Sequence, residues 1–213
     1  MEEKKISEKE SLELISQMIQ QTQKRIAIGS GMPYIVWGII MMVVAIVVGL
    51  GVQFTHNGMW IWGYFSIPVF GFLYKYISQR RVRKNVAPQM KTYIEENLQH
   101  VWECIGFILL VYPLIILILR TNEPKAWIGM YFLGVFMPTL GSFITGLMLK
   151  IRYFRFYANI SLSMCLLLLS DLFINNEMTN KYNYIFAVIT FFSMVVPGIL
   201  INKAARKNQK DNL

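Results

Sequence analysis

Long uncharged stretches dominate the chain and are separated by short polar segments. The first runs from Ile26 to Tyr74 without an Asp, Glu, Lys or Arg. Its 49 residues exceed the roughly 20 that one helix needs to cross a bilayer. His56, Asn57 and Gly58 supply a turn in its middle. The stretch therefore predicts two apolar helices joined by a short turn.

The same segmentation continues along the chain and predicts six membrane-spanning helices. Backbone groups have to be hydrogen-bonded within the chain in lipid, and the alternating pattern of an outer-membrane barrel is absent, so we expect helices. The predicted spans are residues 33–53, 59–76, 101–119, 126–149, 156–174 and 184–202. The prediction is thus an all-α polytopic bundle over 31–202, with a cytoplasmic segment 1–30, a basic loop 77–100 and a basic tail 203–213.

The positive charges indicate how this bundle is oriented. Of the 21 Lys and Arg residues, 18 lie in the N-terminal segment, in the basic loop or at its edge, just after the fourth span, and in the tail. Basic residues collect on the cytoplasmic side of a membrane, so both termini are predicted to be cytoplasmic. The five tryptophans lie near predicted span ends, where amphipathic rings are favoured.

Composition excludes several classes of protein. The chain has 213 residues, 55% of them hydrophobic and 15% charged, whereas soluble domains carry about 25% charged residues. A disordered chain and an ordinary soluble enzyme are therefore excluded, and an integral membrane protein is favoured. The net charge of +9 fits the cytoplasmic surface of a membrane, where lipids are anionic, better than it fits nucleic acid.

No catalytic, cofactor-binding or metal-binding pattern emerges. Cys104 and Cys165 both lie in apolar stretches, as packing residues do. His56 and His100 are predicted on opposite sides of the membrane, so they cannot share a metal. Glycine-rich phosphate loops and the HExxH motif are missing from the sequence. We therefore expect no enzymatic activity and no cofactor.

Residues 7–27 have the pattern of a capped amphipathic helix. Ser7 and Glu10 form a capping box, apolar residues follow at helical spacing, and the run Gly29–Pro33 predicts a hinge before the first span. The sequence leaves three roles open for this helix: it lies on the membrane, it packs on loop 77–100, or it binds a protein partner, which includes a second copy of the chain. The candidate interaction residues are Leu12, Ile15, Met18 and Ile19.

A cluster of basic residues follows the second predicted span. Such a cluster beside a span binds anionic head groups with about 1 kcal/mol per basic residue, or it serves only to fix the topology. The candidate lipid-binding residues are Arg80, Arg81, Arg83 and Lys84.

Two acidic residues fall within predicted spans. Glu103 lies near the cytoplasmic end of the third span and Asp171 toward the outer end of the fifth. Ionisable residues inside a membrane are candidates for ion coupling, although a position near a span end also suits a packing or interface role.

Each even-numbered span carries a proline close to a glycine. These prolines, Pro68, Pro138 and Pro197, predict helix breaks and three parallel repeats of a helical hairpin, as some transporters have. The alternative is that proline and glycine are simply common in transmembrane helices.

The stretch from Lys4 to Gly38 resembles a loose class of small, uncharacterised bacterial inner-membrane proteins that begin with a short charged helix. The residues that carry the likeness are Ser7, Glu10, Gly31, Pro33, Trp37 and Gly38. The resemblance implies a location and no mechanism. The leading functional prediction is a non-enzymatic regulatory or scaffolding protein that uses its N-terminal helix for protein interaction. The alternative is a small transporter or channel with proline-broken helices.

Overall fold

The computed structural model describes residues 8–85, 93–119, 124–175 and 179–210, and all of their regular structure is helical. The helices are α1 (Glu8–Thr55), a 3-10 helix (Gly58–Phe65), α2 (Ser66–Asn85), α3 (Tyr93–Ile118), α4 (Pro124–Met148), α5 (Arg152–Asn175), α6 (Lys181–Thr190), a π-helical segment (Phe191–Val195) and α7 (Val196–Lys210).

Five of the described helical stretches are long and apolar enough to cross a membrane. They are Gly31–Thr55, Glu96–Ile118, Trp127–Met148, Arg152–Leu172 and Lys181–Ala204. They overlap the first, third, fourth, fifth and sixth predicted spans. The prediction of an all-α, multi-pass membrane protein is confirmed at this level.

The second predicted span, 59–76, is not among these candidates. Its residues are divided between the 3-10 helix and α2, and α2 runs on into the basic residues before Asn85. This segment nevertheless lies along α1 in the opposite direction. The Trp60 ring packs at Gly51, and the Trp37 ring packs at Gly71.

The predicted hinge between an N-terminal helix and the first span is wrong. α1 is continuous from Glu8 to Thr55 and includes Pro33. A proline removes one backbone donor, which membrane helices tolerate when neighbouring groups compensate. Gly31 serves close packing here: a Cβ on it would lie 2.7 Å from the carbonyl oxygen of Gly198 in α7.

The last span lies at the centre of the bundle. More than half of the most apolar 18 residues of this span are buried (56%), whereas only 17% of the corresponding residues in α3 are buried. It packs on α1, α4 and α5 and runs antiparallel to α1. Gly31 lies beside Gly198, and Gly49 lies beside Asn183. We name the two ends of the bundle after α1: the Gly31 end and the Thr55 end.

The three prolines predicted to break helices differ in their surroundings. α4 is uninterrupted at Pro138, so the predicted break is not present there. Pro68 lies in the first turn of α2, just after the 3-10 helix, and Pro197 lies in the first turn of α7, just after the π-helical segment. Both therefore follow a change of helix type.

Candidate functional site

A hydrogen-bonded cluster connects three helices near the Gly31 end. The Trp102 Nε1–H donates to the Tyr34 hydroxyl at 2.9 Å, and the Tyr34 and Thr145 hydroxyls are 2.7 Å apart. Thr145 Oγ1 donates to the carbonyl of Gly141 at 2.7 Å, so the Tyr34 hydroxyl donates to Thr145. These three residues, which we call the inner polar cluster, tie α1 to α3 and α4.

Aromatic packing extends this cluster to a fourth helix. The Tyr34 ring meets the Phe154 ring of α5 edge-on, with centroids 4.8 Å apart, and meets the Trp102 ring at 5.4 Å. Phe154 is fully buried. The Gly31 end of α1 is thus fixed to the rest of the bundle by specific side-chain contacts.

A second polar cluster lies toward the Thr55 end. The Tyr64 hydroxyl donates to Asn183 Oδ1 at 2.7 Å, and Asn183 Nδ2 donates to Asn180 Oδ1 at 2.9 Å. Asn180 Nδ2 donates to the carbonyl of Gly49 at 3.0 Å. This outer polar cluster joins the 3-10 helix, the start of α6 and α1. Both clusters consist of neutral groups.

The centre of the bundle contains buried hydroxyls around the π-helical segment. The fully or almost fully buried ones are Thr139, Ser142, Ser161, Thr190 and Ser193. Thr139 and Thr190 bond to carbonyls of their own helices at 2.8 Å, whereas Ser161 is 3.5 Å from the carbonyl of Ile189. Within the described part of the chain, Ser142 Oγ has no hydrogen-bond partner.

Asp171, a candidate for ion coupling, lies at the Thr55 end. Its carboxylate is 3.0 Å from the Lys181 ammonium, and both side chains are partly exposed. The pair connects the end of α5 to the start of α6. Exposed ion pairs of this kind contribute little to stability, because water and salt screen both charges.

Glu103, the other acidic candidate, lies at the Gly31 end. It accepts a hydrogen bond from Gln99 Nε2 at 2.5 Å, and its carboxylate is 3.5 Å from His100 Nδ1. Trp102, its neighbour in sequence, belongs to the inner polar cluster. The structure therefore places the two acidic residues at opposite ends and does not bring them together.

The other predicted site residues are described only in part. Arg80 is exposed, and its guanidinium lies 4.4 Å from the centre of the Tyr76 ring. The side chains of the other predicted lipid-binding and interaction residues lie outside the described part: Arg81, Arg83, Lys84, Leu12, Ile15, Met18 and Ile19.

Neither a metal-binding grouping among the described residues nor a similarity to known proteins points to a function. Among the described residues, no group of three or more His, Cys, Asp or Glu could hold a metal ion. The chain gave no match to protein-family models, to curated proteins or to solved structures.

Proposed function

We propose that the protein is a non-enzymatic regulatory or scaffolding protein of the cytoplasmic membrane, which presents residues 8–30 to a protein partner. The observation that carries this proposal is the continuity of α1 through the run Gly29–Pro33. A hinge there would let the N-terminal segment fold back onto the membrane or onto loop 77–100. A continuous helix instead holds the segment in line with the first span.

The geometry of α1 suits such a role. The helix has 48 residues, and 23 of them precede the candidate span at Gly31. At 1.5 Å per residue, these 23 residues extend about 35 Å from the end of the span. The sequence places Leu12, Ile15 and Ile19 on one face of this extension, where they offer an apolar stripe to another helix.

The base of this extension is fixed in the bundle. Gly31 packs against the α7 backbone at Gly198, and Tyr34 is held by the inner polar cluster one turn later. Movement of the extension would therefore act directly on α7, α3 and α4. This connection favours a regulatory role over a passive anchor.

We further propose that the chain crosses the membrane six times, with both termini on the cytoplasmic side. α1 ends at the Thr55 end, whereas Trp102 of α3 bonds to Tyr34 near the Gly31 end, so the chain between them returns along the bundle. The uncharged segment 58–74 supplies eight 3-10 residues and nine α-helical residues. At about 2.0 and 1.5 Å per residue these add to about 30 Å, the thickness of the hydrocarbon core.

The interaction hypothesis is tested by changing the apolar stripe without deleting it. The double variant Ile15→Lys/Ile19→Lys places two charges on the proposed contact face. The matched control, Gln17→Lys/Gln21→Lys, adds the same charge on the opposite face of the helix. Each tagged protein is expressed in its host, cross-linked in intact cells, purified in mild detergent and analysed by mass spectrometry.

We expect a cross-linked partner or a cross-linked dimer with the wild type and the control, and its loss with Ile15→Lys/Ile19→Lys and with a deletion of residues 1–27. Identical cross-linked products from all four proteins would contradict the proposed role of the helix.

The six-crossing topology is tested separately by labelling single cysteines at positions 57 and 84 with a membrane-impermeant maleimide. Labelling of both positions from the same side would contradict it.

A transporter or channel is the second candidate, and one observation favours it. The most buried span contains the π-helical segment Phe191–Val195, which is followed two residues later by Pro197 and is surrounded by buried hydroxyls. Interrupted helices in the middle of a bundle occur at transport sites, and π-helical segments are frequent at functional sites. This candidate predicts flux in reconstituted vesicles that Asp171→Asn abolishes. Wild-type flux in a folded Asp171→Asn variant would exclude Asp171 as the coupling residue.

A further inference from the structure

The connection between α4 and α5, which we call the α4–α5 turn, carries the cationic residues Lys150, Arg152 and Arg155 within six positions. It lies at the Gly31 end, because Phe154 packs on Tyr34 there. Lys150 and Arg152 are exposed, and Arg155 is partly buried. In the part of the chain that the structure describes, none of the three cations belongs to a salt bridge. The turn therefore concentrates positive charge that no described carboxylate pairs with.

Arg155 is fixed by its packing on α4. A Cβ on Gly146 would lie 2.8 Å from the backbone nitrogen of Arg155 and 3.0 Å from its Cγ, so glycine at this position leaves room for the arginine stem. Arg155 Nε is buried and has no hydrogen-bond partner among the described residues, whereas the side chain as a whole is only partly buried. A guanidinium stays charged, and a buried donor without a partner is unfavourable. Packing alone gives no reason for an arginine here, but an anion at its accessible end would compensate the charge.

The backbone of Lys150 also points to a role for its charge. Its φ is 54°, in the left-handed region that glycine adopts most readily. The turn ends α4 as a glycine usually does: the Lys150 N–H donates to the Leu147 carbonyl at 3.2 Å, and the Ile151 N–H donates to the Gly146 carbonyl at 3.1 Å. A glycine would meet this backbone requirement with less strain. The fold itself therefore does not call for a lysine at this position.

Exposed apolar side chains continue along α5 from this turn. Phe156 and Ile160 follow Arg152 at intervals of four residues, so the three residues share one face of the helix. Phe156 is 62% exposed and Ile160 is 38% exposed. This face places cations at the end of the bundle and apolar surface next to them along the span. Such an arrangement suits an amphiphile better than a free anion.

We propose that the α4–α5 turn binds the phosphate group of one anionic phospholipid. Arg155, Arg152 and Lys150 donate to the phosphate oxygens. An acyl chain lies along Phe156 and Ile160. Arginine and lysine form charge-assisted hydrogen bonds to phosphate, and the fork of a guanidinium presents two donors to it. This site is independent of the proposed interaction of α1.

The test uses the full-length protein, stripped of lipid in detergent and titrated with phosphatidylglycerol or phosphatidylcholine, with bound lipid counted by native mass spectrometry. Arg155→Met keeps an unbranched stem against Gly146, removes the charge, and should weaken phosphatidylglycerol binding about tenfold. The thermal stability of the lipid-free protein should not fall, because the change also removes a buried donor without a described partner.

The matched control is Lys75→Gln, which removes an exposed lysine of α2 at the same end of the bundle. It should bind phosphatidylglycerol like the wild type. Equal binding by Arg155→Met and Lys75→Gln would overturn the proposal. Equal binding of phosphatidylglycerol and phosphatidylcholine by the wild type would overturn it too, because the net charge of the lipid would then have no role.

A second variant covers the case in which Arg155→Met fails to fold. Lys150→Gly suits the left-handed backbone, so the lipid-free protein should be at least as stable as the wild type. Its affinity for phosphatidylglycerol should nevertheless fall about fivefold, the effect of one basic residue near a lipid surface. Stability and binding should thus change in different directions. An unchanged affinity in Lys150→Gly would overturn the proposal.

Glycerol 3-phosphate distinguishes a lipid from a soluble phosphate compound. It carries a phosphate but no acyl chain, so it should displace phosphatidylglycerol only at a concentration about a hundredfold higher or more. Displacement at equal concentration would overturn the assignment to a lipid and would indicate a site for soluble phosphate.

Discussion

Replacing Tyr34 by phenylalanine removes a single hydroxyl from the inner polar cluster and leaves the ring in place. The edge-on contacts of that ring with Phe154 and Trp102 therefore remain. The substitution removes the acceptor for the Trp102 Nε1–H at 2.9 Å and the donor to Thr145 Oγ1 at 2.7 Å. Any loss of stability consequently reports on these two hydrogen bonds.

The expected loss in the free energy of unfolding follows from the number of hydrogen bonds removed and from their burial. Hydrogen bonds between membrane helices average about 0.6 kcal/mol each, so two of them contribute about 1.2 kcal/mol. A buried donor left without a partner would add about 1–3 kcal/mol. Trp102 Nε1 retains a longer contact of 3.4 Å with Thr145 Oγ1, which limits that addition. We expect Tyr34→Phe to lower the free energy of unfolding by about 1–2 kcal/mol.

The assay is equilibrium unfolding in mixed micelles with increasing dodecyl sulfate, followed by tryptophan fluorescence. A double-mutant cycle with Thr145→Val should give a coupling of about 0.6–1.7 kcal/mol. Tyr153→Phe is the matched control, because Tyr153 is half exposed and its change should be neutral. If Tyr34→Phe and Thr145→Val are additive within about 0.3 kcal/mol, the hydrogen bond between these residues is refuted.

Three further predictions follow from local packing. Gly38→Leu should destabilise the bundle strongly, because even a Cβ there would lie 2.7 Å from a side chain of the π-helical segment. Gly58→Ala is the control: it should be nearly neutral in the same unfolding assay, because its Cβ would meet open space. Ser142→Ala should be neutral or stabilising by about 1 kcal/mol, since it removes a buried hydroxyl that has no partner among the described residues; a loss above about 1 kcal/mol would show that it has one. A lipid-permeant maleimide should label Cys104, which is exposed, and should label the fully buried Cys165 only after unfolding; equal labelling rates in the folded protein would contradict this packing.

Length and the distribution of charge were sufficient to locate most of the fold. Five of the predicted spans overlap candidate spans because a stretch of about 20 mostly apolar residues in lipid has few alternatives to a helix. The second span, 59–76, was harder to predict. It changes from a 3-10 helix to an α-helix at Ser66 and packs on α1 through Trp60 and Gly71, and periodicity contains no information about these contacts.

The N-terminal hinge was wrong for a related reason. Gly29–Pro33 has the composition of a helix end, and a soluble protein often uses it so. In the bundle, Gly31 instead permits the close approach of α7 at Gly198, and the helix continues. A glycine that permits a turn and a glycine that permits a close helix contact are identical in sequence and differ only in their neighbours.

The candidate sites could be predicted only in part. The basic residues and the two acidic residues stand out against apolar surroundings. The inner polar cluster does not, because Trp102 is 68 residues from Tyr34 in the chain, and Thr145 is 111 residues from it. A tyrosine, a tryptophan and a threonine in separate spans are ordinary residues until the helices bring them together.

The unbroken path of α1 also imposes a rule on insertions and deletions. Between Ile19 on the proposed contact face and the packed Gly31 there are no irregular residues to absorb a change of length. Each inserted residue would rotate the contact face by about 100° around the helix axis. Seven inserted residues would advance it by about 10 Å and leave its direction within about 20° of the original. The number of residues in this segment therefore determines both the direction of the contact face and its distance from Gly31. We expect an insertion of seven residues to be tolerated and an insertion of two to disrupt the interaction.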